Sequence, residues 1–216
     1  AGKVLSVEYD PLFAEKLRRK TEMHSNVKII EKDILSIRLP GQPFIVVANI
    51  PYSITTRIME KLLSDPENRL QRAAIIMEKG AAVRFTSGPV TYPRILKWRM
   101  WFELRRGRTV PRDSFSPRPS VDSAVLVIRR KNNPYVAACD HHLFAALADH
   151  GLMDPRLPIG EAFRGIFTAP QIKHLARHAN VSRGTAVGML NEKQWGIAFH
   201  TMLQYVEPFK WPKRRK

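Results

Sequence analysis

The sequence predicts an α/β fold with a mostly parallel sheet, followed by an all-helical region. Short apolar segments alternate with segments of helical periodicity along residues 1–132, which is typical of parallel α/β folds. One of these segments, FIVVA at 44–48, is wholly apolar, as are strands buried on both faces of a parallel sheet. A turn signal at Asn132-Asn133-Pro134 ends the pattern, and no convincing strand follows it. We therefore predict two domains, residues 1–132 and residues 133–216.

The individual elements follow from the spacing of apolar residues. Apolar and β-branched runs predict strands at 4–9, 27–30, 44–48, 73–77, 98–104 and 123–128. Helical spacing predicts a helix at 11–20, in which Pro11 suits the first turn, and a second helix capped by Thr55 or Thr56. Beyond residue 133, helical spacing predicts helices at 141–150, 161–167, 170–179 and 194–205.

The balance of charge indicates the class of partner. The 216 residues contain 36 Lys+Arg and 19 Asp+Glu, a formal net charge of +17. Enzymes of small anions rarely need such an excess, so we expect a polyanionic partner, nucleic acid above all. Hydrophobic residues make up 44% of the chain, which is enough for a sizeable core and excludes wholesale disorder.

Composition also excludes several classes of protein. No apolar run approaches the roughly 18 residues of a membrane-spanning helix. Cys139 is the single cysteine, which excludes a disulfide framework and fits a reducing compartment. We therefore expect a cytoplasmic protein, and we expect it to be monomeric. We expect no metal site, because His174 and His178 have zinc-compatible spacing but no accompanying third ligand.

Basic residues concentrate in the segment 84–118, which holds nine Arg and Lys side chains against two acids. We expect contacts with nucleic-acid phosphates from the arginines of its second half, namely Arg105, Arg106, Arg108, Arg112 and Arg118. Solvated arginines at a strand end are the alternative. Aromatic residues of the same stretch suit either the core or stacking on bases, namely Trp98, Trp101 and Phe102. The basic run at 213–216 is either solvated or in contact with phosphates.

The strongest motif is Asn49-Ile50-Pro51-Tyr52, directly after FIVVA. Ligands of α/β sheets bind at the carboxyl ends of strands, where this tetrapeptide lies. The Asn49 side-chain oxygen suits an exocyclic amine, and Pro51 biases Ile50 to an extended conformation that turns a carbonyl outward. Tyr52 offers a ring on which a base can stack. The alternative is a plain strand-to-helix turn, which the whole tetrapeptide at this position disfavours.

Two acids at strand ends suit a nucleotide. Glu8 ends the first predicted strand, where a carboxylate accepts hydrogen bonds from ribose hydroxyls in nucleotide-binding folds. Asp33 follows the second strand and suits either an adenine amino group or the cap of a turn. A surface role for Glu8 fits the sequence equally well.

Four segments carry a resemblance to a known family. NIPYSITT resembles the [DNS]-x-[PF]-[YFW] motif of amino-directed S-adenosylmethionine methyltransferases, and more narrowly the N-[IL]-P-Y of the ribosomal RNA adenine methyltransferases. FSPRPSVDS at 115–123 is similar to the F-x-P-x-P-x-V-[DN]-S signature of that family, and VEYD and EKDIL to its cofactor segments. Order and spacing agree over residues 1–130. MEKGAAVRF, FRGIF and the short helical tail resemble the erythromycin-resistance (Erm) branch, which modifies 23S rRNA.

The resemblance implies a Rossmann-like domain that transfers methyl from S-adenosylmethionine to the 6-amino group of an adenine. It implies catalysis by Asn49, Ile50, Pro51 and Tyr52, and stacking of the target base on Tyr52 and Phe115. The implied cofactor contacts are Glu8, Tyr9, Asp33, Ile34 and Asn49. The implied substrate is a single-stranded or loop adenine of 23S rRNA, with macrolide-lincosamide-streptogramin B resistance as the result. The alternatives are a small-subunit rRNA adenine dimethyltransferase and a non-catalytic relative that binds RNA or DNA.

One part of the family pattern is missing. The glycine-rich cofactor loop follows the first strand and should precede the strand-end acid by about 20 residues, but seven residues precede Glu8. The first strand, central in the family's sheet, is missing with it. We therefore expect an unpaired apolar slot in the sheet, and a segment upstream that carries these elements.

Overall fold

The computed structural model describes residues 2–213, so residue 1 and most of the basic run at 213–216 lie outside the described part of the chain. The strands are β1 (Val4–Glu8), β2 (Val27–Glu31), β3 (Phe44–Asn49), β4 (Leu70–Glu78), β5 (Phe102–Val110) and β6 (Ser123–Arg130). The helices are α1 (Pro11–Thr21), α2 (Thr55–Leu63), α3 (Lys79–Thr86), α4 (Pro93–Trp101), α5 (His141–Gly151), α6 (Ile159–Ala162), α7 (Ala169–His178) and α8 (Glu192–Tyr205). None of the helices within 2–213 has the length and apolarity needed to span a membrane.

The strand predicted at 98–104 is wrong in its first half. Helix α4 ends at Trp101, and β5 begins at Phe102. Helix α4 was not predicted because its buried residues do not lie on a single face. They pack against the sheet and against α5 and α8, so the helical periodicity of apolar residues is weak. Trp98, Trp101 and Phe102 are all buried in the core, which leaves none of them for stacking on RNA.

The sheet is less parallel than expected. The pairs β1–β2 and β3–β4 are parallel, but β6 runs antiparallel between β4 and β5. The strand order of the larger sheet is β3-β4-β6-β5. The hairpin of β5 and β6 was not recognised because the helix-to-strand boundary at residue 101 was missed.

The strand pairing agrees with the gap expected from the family pattern. Within residues 2–213, β1 pairs only with β2 and β3 only with β4, so the sheet is divided into a two-stranded and a four-stranded part. On β3, the side chains of Ile45 and Val47 are 66% and 82% exposed. Ile45 and Val47 alternate with half-buried residues, so the apolar side chains that are uncovered lie on one face of β3.

The helices after β6 continue the same hydrophobic core. In the described part of 133–216, the only extended pairing is an isolated bridge between Pro158 and Ala186. Helix α4 packs against α5 and α8, and a Lys97–Asp149 ion pair of 2.9 Å links α4 to α5. The all-helical composition of this region is as predicted, while its independence as a domain stays a prediction.

Candidate active site

Strand β3 delivers the Asn49-Ile50-Pro51-Tyr52 loop from its carboxyl end. Asn49 lies opposite Ile76 of β4, and the Ile50 N–H donates to the Ile76 carbonyl at 3.2 Å. Pro51 is extended, with φ −61° and ψ 134°, and Tyr52 begins a single 3-10 turn that leads into α2. The loop thus leaves the sheet from a fixed point and turns at once into a helix.

The polar groups of this loop differ in whether they are hydrogen bonded. The Pro51 carbonyl accepts from the Thr55 hydroxyl at 3.3 Å, and the Tyr52 carbonyl accepts from the Thr55 N–H. In the part of the chain that is described, no hydrogen bond reaches the Ile50 carbonyl or the Asn49 side chain, and Asn49 is exposed. These are the two groups that the sequence indicated as acceptors for an amine.

The second family signature meets the first at Tyr52. The hydroxyls of Tyr52 and Ser123 lie 2.6 Å apart, although the residues are separated by 71 positions. Ser123 is fully buried and begins β6, where it is paired with Glu78 on one side and Val110 on the other. Sequence reasoning missed this contact; its only signal was that Ser123 is the last residue of FSPRPSVDS.

A cleft of about 750 Å³ is built around the start of β6 and the residues on either side of it. Its lining includes Glu78, Lys79, Arg112 and Asp122. The Asp122 carboxylate accepts from the Arg112 N–H at 3.1 Å, and the Asp122 carbonyl accepts from the Lys79 N–H at 3.0 Å. Both hydrogen bonds tie the signature loop, residues 115–122, to Arg112 and Lys79, and the cleft carries charges of both signs.

The signature loop holds two further predicted residues. Phe115 is half-buried, directly after a 3-10 turn at Arg112–Ser114. Arg118 is paired with Asp113 at 2.7 Å, and both side chains are more than half exposed. An exposed ion pair of this kind contributes little stability, so its arginine can exchange partners for a phosphate.

The structure separates Arg105 from Arg106. Both are exposed on β5, but neighbouring residues of a strand point to opposite faces of the sheet. Arg105 lies opposite Val127, which shares its face with Ser123, whereas Arg106 lies opposite the fully buried Leu126. Only Arg105 of this pair is therefore on the face that carries the Tyr52 contact. Arg108 is exposed next to the irregular pairing that follows Arg106.

One of the basic residues, Arg130, stabilises the fold. The Arg130 guanidinium donates to the carbonyls of Pro66, Asn68 and Leu70 at 2.6–2.7 Å and lies 4.7 Å from the centre of the Phe102 ring. Burial lowers the pKa of Arg130 from its usual value. An arginine engaged in this way is not available to a polyanion. The exposed arginines of β5 therefore remain the better candidates for contacts with RNA phosphates.

The Glu8 carboxylate is held in place by the backbone. Glu8 ends β1 and lies opposite Glu31 at the end of β2. Its Oε1 accepts from the N–H groups of Tyr9 and Asp10 at 2.8 and 2.9 Å. Among the described residues its Oε2 has no hydrogen bond, and the Tyr9 side chain is 76% exposed. One carboxylate oxygen therefore orients the group, and the other faces no protein donor.

Asp33 lies at the same end of the small sheet as Glu8, two residues beyond β2. Its Oδ1 accepts from the Leu35 N–H at 2.8 Å, which is the turn-capping contact that the sequence allowed. Ile34 is half-buried and packs against the edge of the core. No hydrogen bond among the described residues joins this end to Asn49, so the structure does not itself unite the two groups of predicted cofactor contacts.

Comparison with known proteins decides the family. The model of the family "Ribosomal RNA adenine dimethylase" matches residues 1–203. The chain belongs to this family. An rRNA adenine N-6-methyltransferase of Bacillus licheniformis is 47% identical over 216 residues, covering this whole chain and 75% of the relative, and one of Bacillus anthracis is 46% identical with the same coverage. The crystal structure of the 23S rRNA methyltransferase ErmE matches with a TM-score of 0.80 at 25% identity, covering 94% of this chain and 83% of that one.

Membership of the adenine dimethylase family confirms the predicted family and the α/β methyltransferase fold. It makes the chain an enzyme of the rRNA adenine N6-methyltransferase class, and dependence on a methyl donor follows from the family. The chain spans three quarters of the length of the two Bacillus relatives.

Proposed function

We propose that this chain transfers a methyl group from S-adenosylmethionine to the 6-amino group of one adenine in 23S rRNA, and so confers macrolide-lincosamide-streptogramin B resistance. The observation that carries the proposal is the intact Asn49-Ile50-Pro51-Tyr52 loop, in which the Asn49 side chain and the Ile50 carbonyl are not engaged within residues 2–213. The likeness to ErmE supports the 23S target, and the Bacillus relatives support adenine N6 as the acceptor.

The two available acceptors address the main chemical difficulty of the reaction. The lone pair of an adenine 6-amino group is delocalised into the ring, which makes the amine a poor nucleophile. Hydrogen bonds from the amine to the Asn49 oxygen and the Ile50 carbonyl draw the nitrogen towards tetrahedral geometry and disperse its developing positive charge. No strong base is required before attack, because the proton can leave afterwards.

The Tyr52 ring receives the target base. A base that undergoes chemistry must leave its stack, and stacking on an aromatic side chain returns about 1–3 kcal/mol of the lost interaction. Single-stranded and loop RNA suit this step, since their bases are readily splayed out. Phe115, half-buried in the signature loop, is proposed as a second wall for the base.

The ends of β1 and β2 fit the adenosine part of S-adenosylmethionine. Carboxylates are acceptors that suit ribose hydroxyls and an adenine amino group, and Glu8 presents an oxygen that has no donor within residues 2–213. We assign the ribose to Glu8 and the adenine to Asp33 and Ile34, beside the exposed Tyr9, with Asn49 at the methyl end. When bound, the cofactor supplies a methyl group activated by its sulfonium charge.

We infer that the RNA backbone follows the exposed arginines near the signature loop. Arg105, Arg108, Arg112 and Arg118 are surface residues, and phosphate contacts from them position the RNA without reading its sequence. We further infer a monomeric enzyme that acts in the cytoplasm.

Transfer of tritiated methyl from S-adenosylmethionine to naked 23S and 16S rRNA by the purified full-length protein tests the proposal. We expect label in 23S rRNA at one adenine, located by nuclease digestion and mass spectrometry, which also counts the methyl groups. Label in 16S rRNA alone would establish the small-subunit alternative. Binding of RNA without any label would establish the non-catalytic alternative.

A further inference from the structure

We propose that Ser123 is a positioning residue for the methyl transfer, and that its hydroxyl holds the Tyr52 ring in the orientation that receives the target adenine. The inference rests on the proposed function, because it takes the Tyr52 ring to be the stacking surface. It adds a residue and a role that the motif of residues 49–52 does not contain.

Tyr52 and Ser123 are joined through their hydroxyl groups. The two hydroxyl oxygens are 2.6 Å apart, a short distance for a hydrogen bond between hydroxyl groups. Ser123 is fully buried, and a buried hydroxyl without a partner is costly. The Tyr52 hydroxyl supplies that partner, so each group depends on the other.

The backbones of Ser123 and Tyr52 are held in place to different degrees. Ser123 begins β6 and is paired with Glu78 of β4 and Val110 of β5, so strands on both sides fix its backbone. Tyr52 lies in a 3-10 turn of three residues without a side-chain cap. The hydrogen bond therefore connects a side chain on a short loop to a fixed point of the sheet.

The hydrogen bond to Ser123 determines whether the Tyr52 ring is ordered before the target base arrives. A tyrosine ring that is free to rotate must be ordered when the base arrives, at a cost of about 0.5–1.5 kcal/mol for one immobilised side chain. A ring tethered at its hydroxyl is ordered beforehand. The stacked adenine then presents its amine to Asn49 and Ile50 in a reproducible position, on which the rate of a group transfer depends strongly.

The tether is measured first in the protein without RNA. The chain has five tyrosines, and 3-fluorotyrosine labelling gives each a fluorine resonance, with that of Tyr52 assigned by its loss in Tyr52→Phe. We expect the wild-type Tyr52 resonance to be displaced from the free amino acid and the Ser123→Ala resonance to move towards the averaged position. A resonance unchanged in Ser123→Ala overturns the inference, whatever the RNA target proves to be.

The catalytic role is measured by a double-mutant cycle. We expect Ser123→Ala, Tyr52→Phe and the double variant each to lower kcat by about three- to tenfold, the range for one side chain that is no longer ordered, with RNA affinity unchanged. The double variant is expected to be no slower than either single one, because all three lack the same hydrogen bond.

Stability separates this role from a merely structural one. Tyr52→Phe leaves the fully buried Ser123 hydroxyl without its partner, so the double variant, which lacks both hydroxyls, should be more stable than Tyr52→Phe. Wild-type kcat in all three variants, assayed well below their melting temperatures, overturns the positioning role.

Ser123→Thr, which keeps the hydroxyl, should restore kcat. Ser25→Ala and Tyr92→Phe, both at exposed positions, are the matched controls. If Ser123→Ala fails to fold, Tyr52→Phe alone decides the kinetic result. Wild-type protein that labels neither rRNA refutes the proposed function, while the fluorine result still decides the tether.

Discussion

The two ends of the candidate site have very different support. At the target end, the loop of residues 49–52 follows β3 and is hydrogen bonded to β4 and β6, whose inward side chains Ile75, Met77 and Leu126 are fully buried. At the cofactor end, Ala14 is the only buried residue in the described part of the chain before Ile50. Within residues 2–213, the target loop is therefore tied to the buried core, whereas the Glu8 and Asp33 carboxylates accept hydrogen bonds from the turns that follow β1 and β2.

The largest expected effect concerns stability at the two ends. Ile75→Ala in β4 should lower the free energy of unfolding by about 2–5 kcal/mol, the usual range for truncating a fully buried isoleucine. Ile29→Ala in β2, which removes the same atoms at a half-buried position, should cost less than about 1.5 kcal/mol. Urea unfolding of both variants measures the difference. Equal losses would show that β1 and β2 are as firmly packed as the centre of the large sheet.

The next effect concerns the amine acceptor. Asn49→Ala should lower kcat for methyl transfer by about 10²–10³, as does removal of one preorganised group that stabilises a transition state, with RNA affinity nearly unchanged. Tyr52→Ala should also lower kcat without a large change in RNA affinity. Single-turnover assays and filter binding provide the two measurements. Asn132→Ala, at an exposed asparagine after β6, is the control, and wild-type turnover in Asn49→Ala would remove Asn49 from the mechanism.

A smaller effect is expected at the cofactor end. Glu8→Ala in the full-length protein should weaken binding of S-adenosylmethionine by a factor of about 10–100, which corresponds to a charge-assisted hydrogen bond of about 1.5–3 kcal/mol. Titration calorimetry measures this affinity. Glu22→Ala, which removes an exposed glutamate at the end of α1, should bind normally. Unchanged affinity in Glu8→Ala would leave Glu8 with a surface role only.

The smallest expected effect is a difference in RNA affinity between variants on the two faces of β5. Arg105→Ala should lower RNA affinity and flatten the dependence of log Kd on log salt by about 0.7 units, the contribution of one phosphate contact on a single strand. Arg106→Ala, on the opposite face, is the matched control and should leave the slope unchanged. Affinity for S-adenosylmethionine should be the same in both variants. Equal flattening by both would mean that the RNA reaches around the edge of the sheet.

The sequence was most informative where function is encoded in consecutive residues. Asn49-Ile50-Pro51-Tyr52 could be recognised and placed at a strand end because the loop and the apolar strand before it are contiguous. The contact between Tyr52 and Ser123 was not predictable, because it depends on the antiparallel placement of β6. The short helix α3, at Lys79–Thr86, was missed because it follows β4 without a turn and contains Gly80.

The placement of the arginines shows a second limit of sequence reasoning. A cluster in the sequence predicts one basic patch, but on a strand the clustered side chains alternate between two faces. Arg105 and Arg106 are therefore neighbours along the chain and belong to different surfaces.

The antiparallel direction of β6 determines how residues reach the edge of the sheet at which the loop of residues 49–52 lies. In an all-parallel sheet, each segment at the carboxyl edge trails a strand and departs into a helix. Here the segment 111–122 leaves β5 at that edge and returns directly into β6, so it is anchored in the sheet at both of its ends. Reversing a single strand thus gives a connection that is held by neighbouring strands of the same sheet where it begins, after Val110, and where it ends, before Ser123.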